Sequence, residues 1–328
     1  MWAETMSAAD VRHRPVMRDQ VVELLDVRPG GLYLDATLGE GGHTARILEA
    51  NAPDGRVIGL DRDPSAIASA KARLAEHGDR LLAIHGRFGD LGELTDLALE
   101  GTPGAPRRFD GALFDLGVRS PQLDDGARGF SLQHDGPVDM RMDPGDERSA
   151  SDLLDTLDED GLVQILREYG EEPRARPIAR AILAGRPWSS TLALASAVER
   201  ASGYHGSRVH PATRTFQALR IAVNDELGEL ERGFDAALAR LRPGGRLVII
   251  SFHSLEDAFV KHRMRELAGV GTPRDAYGNP QTPPRARLLH PGGLDGRTFD
   301  PENPRARSAR VRALELLPDA SPSTAARR

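Results

Sequence analysis

The chain contains no cysteine. Disulfides, thiolate metal sites and a cysteine nucleophile are therefore excluded, and the composition fits a reducing compartment. Aromatic residues make up only 5% of the 328 residues, so the core has to be built from Leu, Val, Ile and Ala. No run of about 18 apolar residues occurs, which excludes a membrane-spanning helix. Residues 1–16 carry charges throughout and lack an apolar stretch of the signal-peptide kind, so the expected address is cytoplasmic. An excess of positive charge is missing too. The formal net charge is −6, which argues against a protein whose whole surface coats nucleic acid. Local basic patches are not excluded. Arginines cluster at Arg174, Arg176, Arg180 and Arg186, at Arg208, Arg214 and Arg220, and at Arg305, Arg307, Arg310 and Arg312. The plain alternative for each cluster is a solvated helix face or tail.

What is present describes one large or two medium domains, with an ordinary 39% apolar and 28% charged share. The first 115 residues alternate β-type runs with helical segments. Strands are expected at 31–36, 56–61, 81–85 and 111–115, and a helix from about Thr44 to Ala50. Asp63-Pro64 reads as a helix cap followed by proline at the first helical position. Ile67, Ala70 and Leu74 share the face of that helix. A fifth strand is expected at 245–251, and a last one at 311–317. Strands separated by helices imply right-handed crossovers and a mostly parallel, doubly wound α/β sheet.

The gap between strands four and five is irregular. About 130 residues separate Asp115 from Gly245, where a strand-helix-strand unit needs roughly 30, so about 90 are surplus. They are patterned as helices: Leu162, Ile165, Leu166 and Tyr169 form one stripe, and Leu192, Ala195 and Val198 another. A long helical period runs through Phe216, Leu219, Val223, Leu227, Leu230, Phe234, Leu238 and Leu241. We expect a discontinuous cofactor domain, residues 1–123 and 221–318, and an inserted helical substrate domain, 124–220. The long helix leads back into strand five. Residues 269–303 read as a long loop and 319–328 as a disordered tail.

Chemistry-bearing residues fall where the strands should end. Asp35 closes strand one and is followed by a glycine-rich turn, Gly39-Glu40-Gly41-Gly42-His43-Thr44. Thr44 stands where a dinucleotide fingerprint needs its last glycine, so the turn does not complete G-x-G-x-x-G. Asp61 ends strand two, 22 residues after Gly39, where a carboxylate can accept both ribose hydroxyls of an adenosine. Its plain alternative is a helix cap, a job Asp63 already explains. Phe88 follows strand three beside the adenine position, although a lone phenylalanine is more often core. Asp115 ends strand four. Four ligand-type features on four successive strand ends, with no dinucleotide pattern, point to S-adenosylmethionine.

Longer blocks carry a family resemblance. They are His13-Arg14-Pro15-Val16, the run from Asp35 to His43, Asp61-Arg62-Asp63-Pro64, Asp115-Leu116-Gly117-Val118-Arg119-Ser120-Pro121-Gln122-Leu123-Asp124 and Arg128-Gly129-Phe130-Ser131. Others are Asp139-Met140-Arg141-Met142-Asp143, Tyr169-Gly170-Glu171-Glu172, the run from His210 to Arg220, Ser251-Phe252-His253-Ser254-Leu255-Glu256-Asp257 and the run from Asn303 to Ala309. Together they resemble the bacterial 16S rRNA cytosine-N4 methyltransferase family across nearly the whole chain, with Arg119 where the family usually has Ser. The resemblance implies a Rossmann-like class I methyltransferase sheet with a small helical insert. It also implies S-adenosylmethionine as cofactor, 16S rRNA within the small ribosomal subunit as partner, and a homodimer as an allowed state. By that likeness Gly41, Gly42, His43, Asp61, Phe88, Asp115 and Gln122 contact the cofactor. His43 and Gln122 enter on the resemblance alone.

Methyl transfer to an exocyclic amine needs in-line positioning, and an acceptor for the amine's hydrogens raises its nucleophilicity. Asp139 and His253, with Asp115, are the candidate groups facing the base. Their plain alternatives are an ion pair of Asp139 with its arginine neighbours and a capping box starting at Ser254. No metal site is expected. Two other functions stay open: a methyltransferase for another RNA or a protein, and a nucleotide-cofactor oxidoreductase on the same fold.

Overall fold

The computed structural model describes residues 14–100, 108–203, 210–273, 275, 277–278 and 281–318. His13, Arg208 and the expected tail at 319–328 lie outside them. The described chain divides into two compact units, Met1–Gly117 with Leu230–Arg328, and Val118–Glu229.

In the first unit, α1 (Arg18–Leu25) precedes β1 (Leu32–Asp35), α2 (Gly42–Ala50), β2 (Arg56–Asp61), α3 (Pro64–Arg73), β3 (Leu81–His85), α4 (Leu91–Glu100) and β4 (Phe109–Asp115). Asp63 caps α3 by accepting from Ser65 N, with Pro64 in the first turn. The sheet order is β3-β2-β1-β4-β5-β8-β6, and β1 to β5 run parallel. Strands buried on both faces have to be apolar throughout. Leu34, Ile58, Leu60, Phe109 and Phe114 fill one layer and Tyr33, Val57, Leu113, Val248 and Ile250 the other.

The helical unit contains α5 (Ser120–Asp124), α6 (Ala150–Thr156), α7 (Glu159–Glu168), α8 (Ala175–Ala184), α9 (Thr191–Ser202) and α10 (Thr213–Asn224). They close over a core of their own, with Leu162, Leu166, Ile178, Ile182, Val198 and Phe216 at its centre. This unit is wider than the expected 124–220, because Val118 and Val223 also pack against its core. One expected stripe is displaced. Leu192 is exposed, and α9 buries Leu194, Ala195 and Val198 instead.

The long helix expected through Leu241 is two helices, α10 and α11 (Glu226–Arg240). The break has a polar cause. Asn224 is buried and turned toward residues 140–142, donating to Met140 O and accepting from Met142 N. Asp225 then adopts a left-handed conformation, φ 50°, which ends α10. Leu241 opens β5 (Leu241–Ser251) rather than closing a helix, and α12 (Ser254–Leu267) follows. The expected loop at 269–303 holds β6 (Ala286–Leu288), β7 (Leu294–Asp295) and a one-turn helix, α13 (Gly296–Phe299). Both strands pair with β8 (Arg310–Leu316), which runs antiparallel to β5. That pairing partner lies far along the chain, so local patterning gives no sign of it.

Candidate active site

Register places the acids. Asp35 is the last residue of β1, beside Leu113 of β4 and Gly59 of β2, and Asp61 sits opposite His85 at the end of β3. Asp115 ends β4 opposite Ile250. Parallel strands ending together leave their polar residues along one edge of the first unit, where such folds hold ligands.

The glycine-rich turn is built to hold that edge open. Gly39 and Gly41 have φ of 55° and 76°, a region glycine enters without a Cβ penalty. Gly39 N donates to Asp61 Oδ2 at 2.8 Å, and Asp63 N donates to Asp61 Oδ1 at 2.8 Å. The β2 carboxylate thus pins the turn through both of its oxygens. Gly42 has a packing reason of its own, since a Cβ there meets Pro15 Cγ at 2.5 Å. The first turn of α2 adds backbone N–H groups and the positive end of a helix, a setting suited to a ligand carboxylate.

Beneath the turn lies a buried acid. Asp35 is 1% exposed and accepts from Thr44 Oγ1 at 2.6 Å and Thr37 N at 3.2 Å. Burial pushes its carboxyl up to about 6, with Asp115 adding to the rise, against those hydrogen bonds and the nearby His43. Thr37 also accepts from Asp115 N at 2.6 Å, which ties the loop after β1 to the end of β4. Sequence patterning gives neither threonine a role as a partner of Asp35. Their only signal is a hydroxyl residue two and nine positions after Asp35.

His43 and Asp115 form the least satisfied pair in this edge. The imidazole is 6% exposed and its Nε2 lies 3.6 Å from Asp115 Oδ2. Neither ring nitrogen has a hydrogen-bond partner, and neither has Asp115 Oδ1. Each buried polar atom left this way costs on the order of 1–3 kcal/mol. Three at one strand end are the sign of groups kept for a ligand. Phe88, just past β3, is half-buried and meets Phe114 edge-to-face with centroids 5.6 Å apart. Asp35, Gly39, Gly41, His43, Asp61, Phe88 and Asp115 are therefore on one unit and at the loops of one sheet edge.

Gln122 and Asp139 belong to the helical unit, and His253 follows the end of β5 in the first. Gln122 Oε1 accepts from Arg119 N at 3.0 Å. Arginine carries no acceptor, so at the start of α5 Arg119 cannot supply the side-chain cap that a serine hydroxyl gives, and Gln122 closes the turn. Asp139 is held by Arg141 through Nε at 2.8 Å and Nη2 at 2.7 Å, and accepts from Arg141 N at 3.0 Å. Burial opposes its charge, but the Arg141 hydrogen bonds and the charges of Arg141 and Arg128 outweigh it and keep the carboxyl below the usual range. His253, not Ser254, is the cap of α12. Its Nδ1 accepts from Glu256 N at 3.5 Å, and Glu256 Oε2 accepts from Phe252 N at 2.9 Å. Its Nε2 lies 3.1 Å from Glu256 Oε1 without the alignment of a hydrogen bond.

A doubly wound sheet with a glycine-rich turn, strand-end acids and orphaned polar atoms along one edge fits the Rossmann-like methyltransferases that use S-adenosylmethionine. The model of the MraW methylase family matches residues 10–317, and the chain belongs to that family. Ribosomal RNA small subunit methyltransferase H of Geobacter sulfurreducens is 49% identical over 317 residues, spanning 93% of this chain and 99% of that protein. The protein of the same name from Trichlorobacter lovleyi is 48% identical over 316 residues, 94% of this chain and 99% of its own length. That of Thermomicrobium roseum is 46% identical over 314 residues, 93% and 94% of the two chains.

Proposed function

We propose that the protein methylates the exocyclic N4 of one cytidine in the decoding region of 16S rRNA, acting on the small ribosomal subunit in the cytoplasm. Near-half identity to relatives named for small-subunit rRNA methylation, over almost the full length of both chains, carries the reading. No helix of the described residues is long and apolar enough to cross a membrane, which is compatible with that address.

Bound S-adenosylmethionine supplies an electrophilic methyl group on a sulfonium. The residues at the sheet edge suit it: Asp61 accepts from ribose hydroxyls, Phe88 covers the adenine, and Gly41 and Gly42 admit the backbone close to the methionine moiety. His43 and Asp115 bring the unpartnered polar atoms that a charged ligand satisfies. We assign Gln122 to the same cofactor. Asp139 and His253 are the groups we assign to the base. A quarter of the Asp139 side chain stays open to solvent, so its carboxylate accepts from an amine while Arg141 fixes its direction. The target base has to be unstacked to be reached.

The test is nucleoside mass spectrometry of small-subunit rRNA from a strain lacking the protein, before and after addition of protein and cofactor. N4-methylcytidine should be absent before and present after. An unchanged amount in the two samples rejects this substrate.

A further inference from the structure

Several of the arginines that stand out in the sequence are paired with carboxylates in the fold. Arg176 and Arg180 pair with Glu159, Arg220 with Glu226, and Arg310 with Asp295. Two further cations, Lys261 and Arg265 on the first unit, are not. Between α12 and the strands β6 and β8 lies a shallow cleft open to solvent, lined on its apolar side by Met264 and Leu288. Lys261, Arg265, His290 and Arg312 line it, and no carboxylate does.

Arg312 is buried and held by Asp257 through Nε at 2.7 Å and Nη2 at 2.9 Å. Its charge is thereby balanced and its position fixed. Lys261, Arg265 and His290 are exposed, and none makes an ion pair or side-chain hydrogen bond among the described residues. Lys261 and Arg265 are four residues apart on α12, so they share a face and repel one another. Arg263, on the same helix, shows the ordinary arrangement, paired with Asp235 and Glu266. A protein with a net charge of −6 has carboxylates to spare, yet pairs none with Lys261 or Arg265 among the described residues. An unbalanced cationic concavity binds an anion.

We propose that this cleft takes a backbone phosphate of the RNA substrate, an inference that rests on the RNA reading above. Helix α12 starts directly after β5, at the same edge of the first unit as the candidate cofactor site. Lys261 and Arg265 lie about 10 and 16 Å along it from Ser254, at 1.5 Å per residue. A strand whose target base reaches the sheet edge therefore passes the cleft with phosphates a few nucleotides away. The contact is sequence-independent and sets register and orientation rather than base choice.

The test compares Lys261→Ala/Arg265→Ala with Lys71→Ala/Arg73→Ala, which removes the same charge from exposed positions on α3. KM for unmethylated small subunits should rise about tenfold in the first variant alone, with kcat and S-adenosylmethionine affinity unchanged. Fluorescence anisotropy with a single-stranded RNA should give a log–log salt dependence shallower by about 0.7, for one phosphate contact. Lys261→Glu/Arg265→Glu should deepen both effects, with the melting temperature checking its fold. Matching KM and salt slopes in the two alanine variants overturn the cleft assignment. So does loss of inorganic phosphate binding with RNA binding intact, because the cleft then takes a free anion. Wild-type protein that methylates no small subunit rejects the substrate instead, and the anisotropy series still decides the cleft.

Discussion

The carboxyl edge of the sheet and residues 139–142 of the helical unit both bury charge, and they treat it in opposite ways. In that segment of the helical unit the charges are answered. Asp139 is clamped by Arg141, whose Nη1 donates to Asp146 O at 2.7 Å. Arg128 Nη2 donates to Arg141 O and Met142 O, and Asn224 closes the segment from the far side. Such a network specifies one backbone arrangement because any missing partner leaves a costly buried group. At the sheet edge His43 and Asp115 keep three atoms unanswered. The first pattern is that of a scaffold. The second is that of a site completed by something else.

Two substitutions put that contrast at risk, and they carry the largest effects. Asp139→Ala should abolish methyl transfer while leaving S-adenosylmethionine affinity nearly intact, measured by turnover and by calorimetric titration. Turnover at the wild-type level removes Asp139 from the mechanism and leaves it as a clamp alone. Asp115→Ala should do the converse. Losing an acceptor for a charged ligand costs about 1.5–3 kcal/mol, so cofactor affinity should fall roughly 10- to 100-fold. Stability should hold or rise, since the variant removes a carboxylate oxygen that the fold leaves without a donor. A large drop in melting temperature with unaltered affinity makes the pair structural.

The sequence is most readable where local rules and burial agree. The strands at 56–61 and 81–85 and the cap Asp63-Pro64 appear where patterning puts them, because alternation of apolar runs and turn residues is local. Asp35, Asp61 and Asp115 are legible as a group, since the last residue of a parallel strand faces the ligand edge whatever its partners. What patterning misses depends on distant partners. Asn224 breaks a continuous helical period because it bonds residues some 80 positions away. β6 and β7 exist because β8 lies beside them, and Thr37 matters because Asp115 N donates to it. The cap at His253 rather than Ser254 is a shift by one residue between two polar neighbours, below the resolution of a capping motif.

Asp35 sharpens the comparison through pH. Its carboxyl is raised by burial to about 6, from 3.8 when exposed, so the fold holds its proton more tightly than the unfolded chain does. Stability from this group is fully present below pH 3.8 and is lost as pH rises through 6, after which it stays flat. The difference amounts to about 3 kcal/mol at 1.36 kcal/mol for each pH unit. Asp35→Asn keeps one acceptor oxygen for Thr37 N, presents an amide N–H that the Thr44 hydroxyl can accept, and carries no titrating charge. Denaturant unfolding of the cofactor-free variant should lack the decline that the wild type shows between pH 4 and 6. An identical pH profile in the two proteins means that Asp35 is already balanced by its neighbours.

The smallest effect separates turn geometry from packing. Gly41 is left-handed (φ 76°, ψ 22°) and Gly78 lies in a glycine-favoured extended region (φ 54°, ψ −132°), so alanine at either is strained by about 1–3 kcal/mol. A Cβ at Gly78 meets nothing within 4 Å, whereas one at Gly41 meets Leu74 Cδ1 at 2.6 Å and Leu74 Cγ at 3.3 Å. Leu74 is itself buried, so it has little room to retreat. Gly78→Ala should therefore lower stability by about 1 kcal/mol once the stiffer unfolded chain is offset, with cofactor affinity untouched. Gly41→Ala should cost about 1 kcal/mol more, and it should also weaken S-adenosylmethionine binding, because the turn it displaces is the one Asp61 anchors through Gly39. Equal losses in the two variants, measured by urea unfolding and calorimetric titration, mean that the glycine turn answers to backbone conformation alone and Leu74 yields freely.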